Sequence, residues 1–169
     1  MSENTDNTRR LIIVRHARAA QQPPGGGPDR LRPLTDRGEA DIRAAARRMV
    51  QAGIVADLIV SSPATRTDGT ARIVADALRV DPAAIDYAPE AYNASLGDLL
   101  DVIAGTDPDV RRLLIVGHNP GLSELADLLI ANGVVPGLPT SGIVAIDLPL
   151  EDWSAIGRAR GTLVYQNFD

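Results

Sequence analysis

Short apolar runs alternate with amphipathic segments along this chain. Leu11-Ile12-Ile13-Val14, Leu58-Ile59-Val60 within Asp57 to Ser61, and Leu113-Leu114-Ile115-Val116 are continuous, mostly branched and bounded by polar residues. Such runs predict strands buried on both faces, as in a parallel sheet. Between them lie segments with helical spacing. From about Asp36 to Ala52, the residues Ala40, Ile42, Ala45, Ala46 and Met49 form one stripe, after Thr35 and before Gly53. Ser62-Pro63 is expected to open a second helix running to about Arg79, with proline in the first turn. Ser95 to Ala104 carries Leu96, Leu99, Leu100 and Ile103, and Pro120-Gly121 starts a last helix to about Ala131, stopped by Asn132-Gly133. Ile85-Asp86-Tyr87 is a weaker strand, and Gly142 to Leu148 and Gly161 to Tyr165 alternate as two strands closing an edge. Strand-helix repetition predicts a three-layer α/β/α sandwich around a mainly parallel sheet.

Composition narrows the class. A chain of 169 residues with 44% hydrophobic side chains suits one domain, expected over 11–169 behind a polar, flexible segment of residues 1–10. The net charge of −5 argues against a nucleic-acid binder, which needs clustered cations. All 17 basic residues are arginine, so no phosphate-loop lysine and no Schiff base is available. The chain has no cysteine, and so no disulfide or thiolate site. No apolar stretch reaches the roughly 18 residues of a membrane span, and the first ten residues lack the apolar core of a signal peptide. A cytoplasmic, soluble protein without membrane partners is expected.

The chain has just two histidines, and each ends an apolar run: Arg15-His16 and Gly117-His118. Ligands of α/β sheets bind outside the carboxyl ends of the strands, so the two imidazoles are expected to share a site. Arg66, one turn into the helix after Ser61-Ser62-Pro63, falls near the same edge. Asn119-Pro120-Gly121 adds a helix start, where free backbone N–H groups favour an anion. Two guanidiniums and two imidazoles at one sheet edge describe an oxyanion pocket of phosphoryl size. Taken singly, Arg66 also reads as a solvated helix face and His118 as a capping or core residue. Gly25-Gly26-Gly27 could cradle a phosphate, but the flanking prolines and the missing strand-to-helix context favour a surface loop.

Together these motifs resemble the histidine phosphatase superfamily, with its phosphoglycerate mutase-like fold, and its short SixA-type branch in particular. The matching stretches are Leu11 to His16, Arg32-Pro33-Leu34-Thr35 with Gly38, Ser61-Ser62-Pro63 with Arg66, Thr67 and Thr70, and Leu113 to Pro120. The resemblance implies a His16 nucleophile that carries a transient phosphoryl group, Arg15 and Arg66 clamping the phosphoryl oxygens, and His118 as the second imidazole. It implies no metal and no other cofactor. Glu90, in Pro89-Glu90-Ala91-Tyr92 after the third strand, occupies the place of the general acid in related branches; a plain surface glutamate is the competing reading. Arg18 and Asn119 are candidates for the substrate-binding rim. Ala17 stands where the family usually has glycine, which would cost about 1–2 kcal/mol if that position required positive φ.

The expected reaction is hydrolysis of a phosphorylated protein, with protein phosphohistidine the substrate of SixA-type relatives. A small phosphate ester is the alternative, and a binding module that keeps the anion pocket without turnover is a third reading. A mutase would need insertions that are absent. Ser61 and Ser62 lie in no Gly-x-Ser-x-Gly elbow, which discounts a serine hydrolase.

Overall fold

The structure, a computed structural model, describes residues 7–131 and 137–168. Six strands form one sheet in the order β3-β2-β4-β1-β5-β6. They are β1 (Arg9–Arg15), β2 (Leu58–Ser61), β3 (Asp86–Tyr87), β4 (Arg112–Gly117), β5 (Ile143–Leu148) and β6 (Thr162–Asn167). The pairs β1–β4, β2–β4 and β2–β3 are parallel. β5 and β6 close one edge, as their sequences predict, and β5 runs antiparallel to both β1 and β6.

The helices are α1 (Asp36–Gln51), α2 (Thr65–Leu78), α3 (Leu96–Ala104) and α4 (Gly121–Leu129). The sheet divides the core in two because neighbouring side chains of a strand point to opposite faces. Ile12, Val14, Leu114 and Val116 pack with Ile42 and Met49 of α1 and Val74 of α2. Leu11, Ile13, Leu113 and Ile115 pack with Ile103 of α3, Leu125 and Leu129 of α4, and Trp153. The three-layer sandwich results from those two contact sets. Each fully buried aliphatic side chain contributes about 1.5–3 kcal/mol. No helix among the described residues is long and apolar enough to cross a membrane.

Several boundaries differ from those the sequence pattern predicts. β1 begins at Arg9, two residues early, because Arg9 is buried and donates to the carbonyls of Leu150 and Pro108. Residues 1–6 of the expected flexible segment lie outside the described residues. Pro63 stands before α2 rather than in its first turn: the helix begins at Thr65, and Thr67 Oγ1 donates to the Ser62 carbonyl at 2.7 Å across the entry. α4 stops at Leu129, since Ile130 leaves to bridge with Gly161. The expected Asn132-Gly133 stop lies outside the described residues. Trp153–Arg158 forms a 3-10 turn that no periodicity announced.

Candidate active site

Register builds the site. Arg15 of β1 lies opposite Gly117 of β4, so the next residue of each strand, His16 and His118, leaves the sheet at the same level. The His16 N–H donates to the Gly117 carbonyl at 3.1 Å, and the two imidazole centroids are 5.4 Å apart. The chain beyond His16 is held by the Arg32-Pro33-Leu34-Thr35 motif. Thr35 N donates to the Arg18 carbonyl at 3.0 Å and Ala20 N to the Pro33 carbonyl at 2.8 Å. Thr35 also caps α1 by accepting from Gly38 N. Ala17 N donates to Thr70 Oγ1 at 3.0 Å. Ala17 is fully buried and is not among the residues with positive φ, so alanine in place of the usual glycine adds no left-handed strain.

The cleft so formed has a volume of about 470 Å³ and is lined by Arg15, His16, Arg18, Arg66, His118 and Asn119 among the expected residues. Asp29, Arg32, Asn93 and Thr140 complete the polar part of its wall. Gly25, Gly26 and Gly27 all have positive φ but do not line it, which leaves them a surface turn.

His16 Nδ1 lies 2.8 Å from the Ala17 carbonyl, which can only accept. Nδ1 therefore carries the hydrogen, and Nε2 keeps its lone pair. Burial pushes the pKa of His16 from 6.5 down to about 4, and the charges of Arg66, Arg15 and Arg32 push the same way against the Ala17 bond. His118 is pushed to about 3, first by burial and then by Arg66 and His16. Its Nε2 lies 2.8 Å from Ser62 Oγ. Both rings are neutral at neutral pH.

Arg66, in the first turn of α2, is 3% exposed and therefore not a solvated helix face. Its Nη1 donates to the Asp29 carbonyl and its Nη2 to Asp29 Oδ2, each at 3.0 Å. Its guanidinium carbon also sits 5.9 Å from the centre of the Tyr92 ring. Arg15 Nη1 donates to the Leu138 carbonyl at 2.9 Å, and burial lowers the Arg15 pKa. Arg15 Nε, Arg66 Nε and His118 Nδ1 are buried without a hydrogen-bond partner among the described residues. Buried polar atoms are normally satisfied, and Arg15 Nε and Arg66 Nε can only donate, so the two guanidiniums leave positive charge and donor capacity that suit an anion.

Glu90, the expected general acid, is not brought into this cleft. It is exposed and lines a different cleft, between β2, β3 and α3. Pro89–Ala91 forms a 3-10 turn that buries Ala91 and brings Tyr92, two residues after Glu90, to the catalytic side instead. The ring of Tyr92 meets His118 edge-on with centroids 5.4 Å apart, and its hydroxyl donates to Asp29. Asp29 is the carboxylate that the sequence motifs did not single out. Tyr92, Arg66 and Arg32 together hold its pKa down to about 2, against the opposing effect of burial. Its one sequence signal is its place three residues before Arg32 of the matched motif. Asn119 lines the cleft, but its amide donates to the Leu138 carbonyl and accepts from Ser123, so it also ties the Leu138 segment to α4. Arg18 stays exposed at the rim.

The sequence profile of the histidine phosphatase superfamily (branch 1) matches residues 11–100, more than half of the chain. This chain belongs to the histidine phosphatase superfamily. Its fold is that of the SixA type: the crystal structure of a protein assigned as the phosphohistidine phosphatase SixA of Agrobacterium tumefaciens superposes with a TM-score of 0.78 at 30% identity, covering 94% of this chain and 97% of that one. A tungstate complex of the protein histidine phosphatase SixA shares the fold, with a TM-score of 0.77 at 24% identity over 93% of this chain and 95% of that one. An uncharacterised chloroplastic protein of Arabidopsis thaliana is 33% identical over 138 residues, 76% of this histidine phosphatase and 62% of the plant protein. This chain thus spans less than two thirds of that relative.

Proposed function

We propose that this histidine phosphatase hydrolyses protein phosphohistidine in two steps through His16, without a metal. In the first step, the Nε2 lone pair of His16 attacks phosphorus and the P–N bond of the substrate breaks. The substrate imidazole, protonated by solvent on its other ring nitrogen before the P–N bond breaks, leaves as a neutral ring. In the second step, water attacks the phosphoryl group, the bond from His16 Nε2 to phosphorus breaks, and inorganic phosphate leaves with the proton balance closed by solvent. Arg15 and Arg66 neutralise the transferred oxygens, the role a metal ion fills elsewhere. His118 lines the same pocket as a neutral ring. Asp29 and Tyr92 are positioning residues that hold Arg66 in place.

One observation carries the choice of substrate: the carboxylate in the cleft, Asp29, accepts from both Tyr92 and Arg66, which favours its ionised form. Asp29 is pushed to about 2 and Glu90 faces another cleft, so an alkoxide leaving from a phosphate ester would find no carboxylic acid to protonate it. A phosphoramidate leaves without one. The open cleft also suits a side chain presented by another protein, and the tungstate bound by the SixA relative is a tetrahedral oxyanion like phosphate. The cytoplasm is the proposed site of action.

The test gives the purified protein one peptide phosphorylated on histidine and the same peptide phosphorylated on serine, with phosphate release as the readout. The histidine form is expected to turn over faster, with no loss of rate in EDTA. Preference for the phosphoserine form would favour the ester reading, and a metal-restorable loss in EDTA would refute the metal-independent route.

A further inference from the structure

A second cleft, of about 650 Å³, lies between β2, β3 and α3, on the other side of the segment that carries Tyr92. Its floor includes the apolar side chains of Leu58, Val60, Ala88 and Val102. Its rim carries Asp86, Glu90, Asp98, Asp101 and Asp107, and among the described residues no arginine or histidine lines it. The chain has 17 arginines, so this is a separation by sign, with Arg15, Arg18, Arg32 and Arg66 gathered in the catalytic cleft instead.

The acidic rim is also unmatched internally. Asp57 pairs with Arg112, Asp68 with Arg72 and Asp147 with Arg10, whereas none of the five rim carboxylates forms an ion pair among the described residues. Asp98 accepts only from the Ser95 N–H of its own capping box and Asp107 from the Asp109 N–H. Like charges around a groove repel each other and draw cations to it. The floor alone would take any aliphatic side chain; the rim selects one flanked by positive charge. β3 is moreover the edge strand on this side of the sheet.

We propose that this groove docks a basic segment of the phosphoprotein substrate, with arginine or lysine side chains against the rim and an aliphatic side chain on the floor. The proposal rests on the phosphoprotein reading above and adds where that substrate is held. Glu90 lines the groove and Asn93 the catalytic cleft, three residues apart, so the facing edges of the two sites are separated by at most about 11 Å of backbone. An extended substrate would carry its basic residues about three to five positions from the phosphorylated one.

The test uses peptides with one phosphohistidine and, three to five positions away on either side, an Arg-Leu-Arg, Gly-Ser-Gly or Glu-Leu-Glu flank. At low salt the Arg-Leu-Arg peptide is expected to show a KM at least tenfold below that of Gly-Ser-Gly, with similar kcat. The double variant Asp86→Asn/Asp101→Asn should shrink that ratio below threefold while leaving turnover of nitrophenyl phosphate unchanged. Both substituted positions are exposed. In parallel, a labelled, unphosphorylated Arg-Leu-Arg peptide should bind to wild type and to His16→Ala by fluorescence anisotropy, and lose that binding in the double variant. Equal KM values for the three flanks, or a basic preference that survives the double variant, would overturn the docking groove. Failure of all phosphohistidine turnover alongside binding that depends on Asp86 and Asp101 would instead remove the phosphoprotein reading and retain the groove as a cation-selective peptide site.

Discussion

Asp29 and Arg66 are joined twice: Arg66 Nη2 reaches Oδ2 of Asp29 and Arg66 Nη1 reaches its carbonyl, each at 3.0 Å. The two sides of the pair differ in environment, since the Arg66 side chain is 3% exposed and that of Asp29 is 48% exposed. A buried cation that lines the cleft is thus held by a carboxylate that stands partly in water. The same carboxylate competes with any incoming anion for Arg66.

Replacing that carboxylate should separate the two effects. Asp29→Asn removes a negative charge beside Arg66 that at about 4 Å is worth on the order of 1 kcal/mol even in water. Inorganic phosphate should therefore inhibit the variant about fivefold more strongly at low salt, while kcat falls because Arg66 is less well held. Weaker or unchanged phosphate inhibition would show that Asp29 does not face the anion site.

Arg66→Lys tests the fork itself. A guanidinium spans two acceptors at once, as Arg66 does on Asp29, whereas an ammonium is a single point charge. The variant should fold and lose about tenfold or more in kcat/KM, corresponding to about 1.4 kcal/mol of transition-state binding. Equal kinetics for the two proteins would remove Arg66 from the reaction.

The histidines set a pH dependence with a definite sign. An unfolded histidine takes up its proton near 6.5, whereas folded His16 does so only near 4 and His118 near 3. Stability is then fully present above pH 6.5 and drains as pH falls through this window, because the unfolded chain binds more protons there. Because the chain has two histidines, NMR of the ring resonances resolves both, and His16→Ala assigns them. Both midpoints are expected below 5 in the phosphate-free protein. Titration of either ring near 6.5 would contradict the buried neutral pair.

Gly38 should tolerate no side chain. A Cβ there would lie 2.1 Å from the Arg18 carbonyl oxygen, and that carbonyl already accepts from Thr35. The contact is with backbone, so it cannot be relieved by a rotamer change. Gly38→Ala is expected to cost about 2 kcal/mol or more in denaturant unfolding and to lower activity by shifting the segment after His16. Wild-type stability would mean that the Arg18 segment is free to move.

The layers and the meeting of the two histidines were legible in the order of residues alone. A buried strand must be apolar on both faces, so β1 and β4 stand out as continuous runs, and connectivity places His16 and His118 directly beyond their ends. The motif around Arg32 to Thr35 was likewise legible, and its hydrogen bonds to the segment after His16 supply its reason. Which carboxylate lines the cleft depends on tertiary packing. Glu90 and Tyr92 are two residues apart, and a single 3-10 turn sends one to the acidic groove and the other to His118. Asp29 lies 37 positions from Arg66 and 63 from Tyr92, so no local pattern announces their contact. Periodicity records which face of an element is buried. It does not record where a turn aims a polar side chain, or which distant charge it meets, because those depend on the packing of several elements at once.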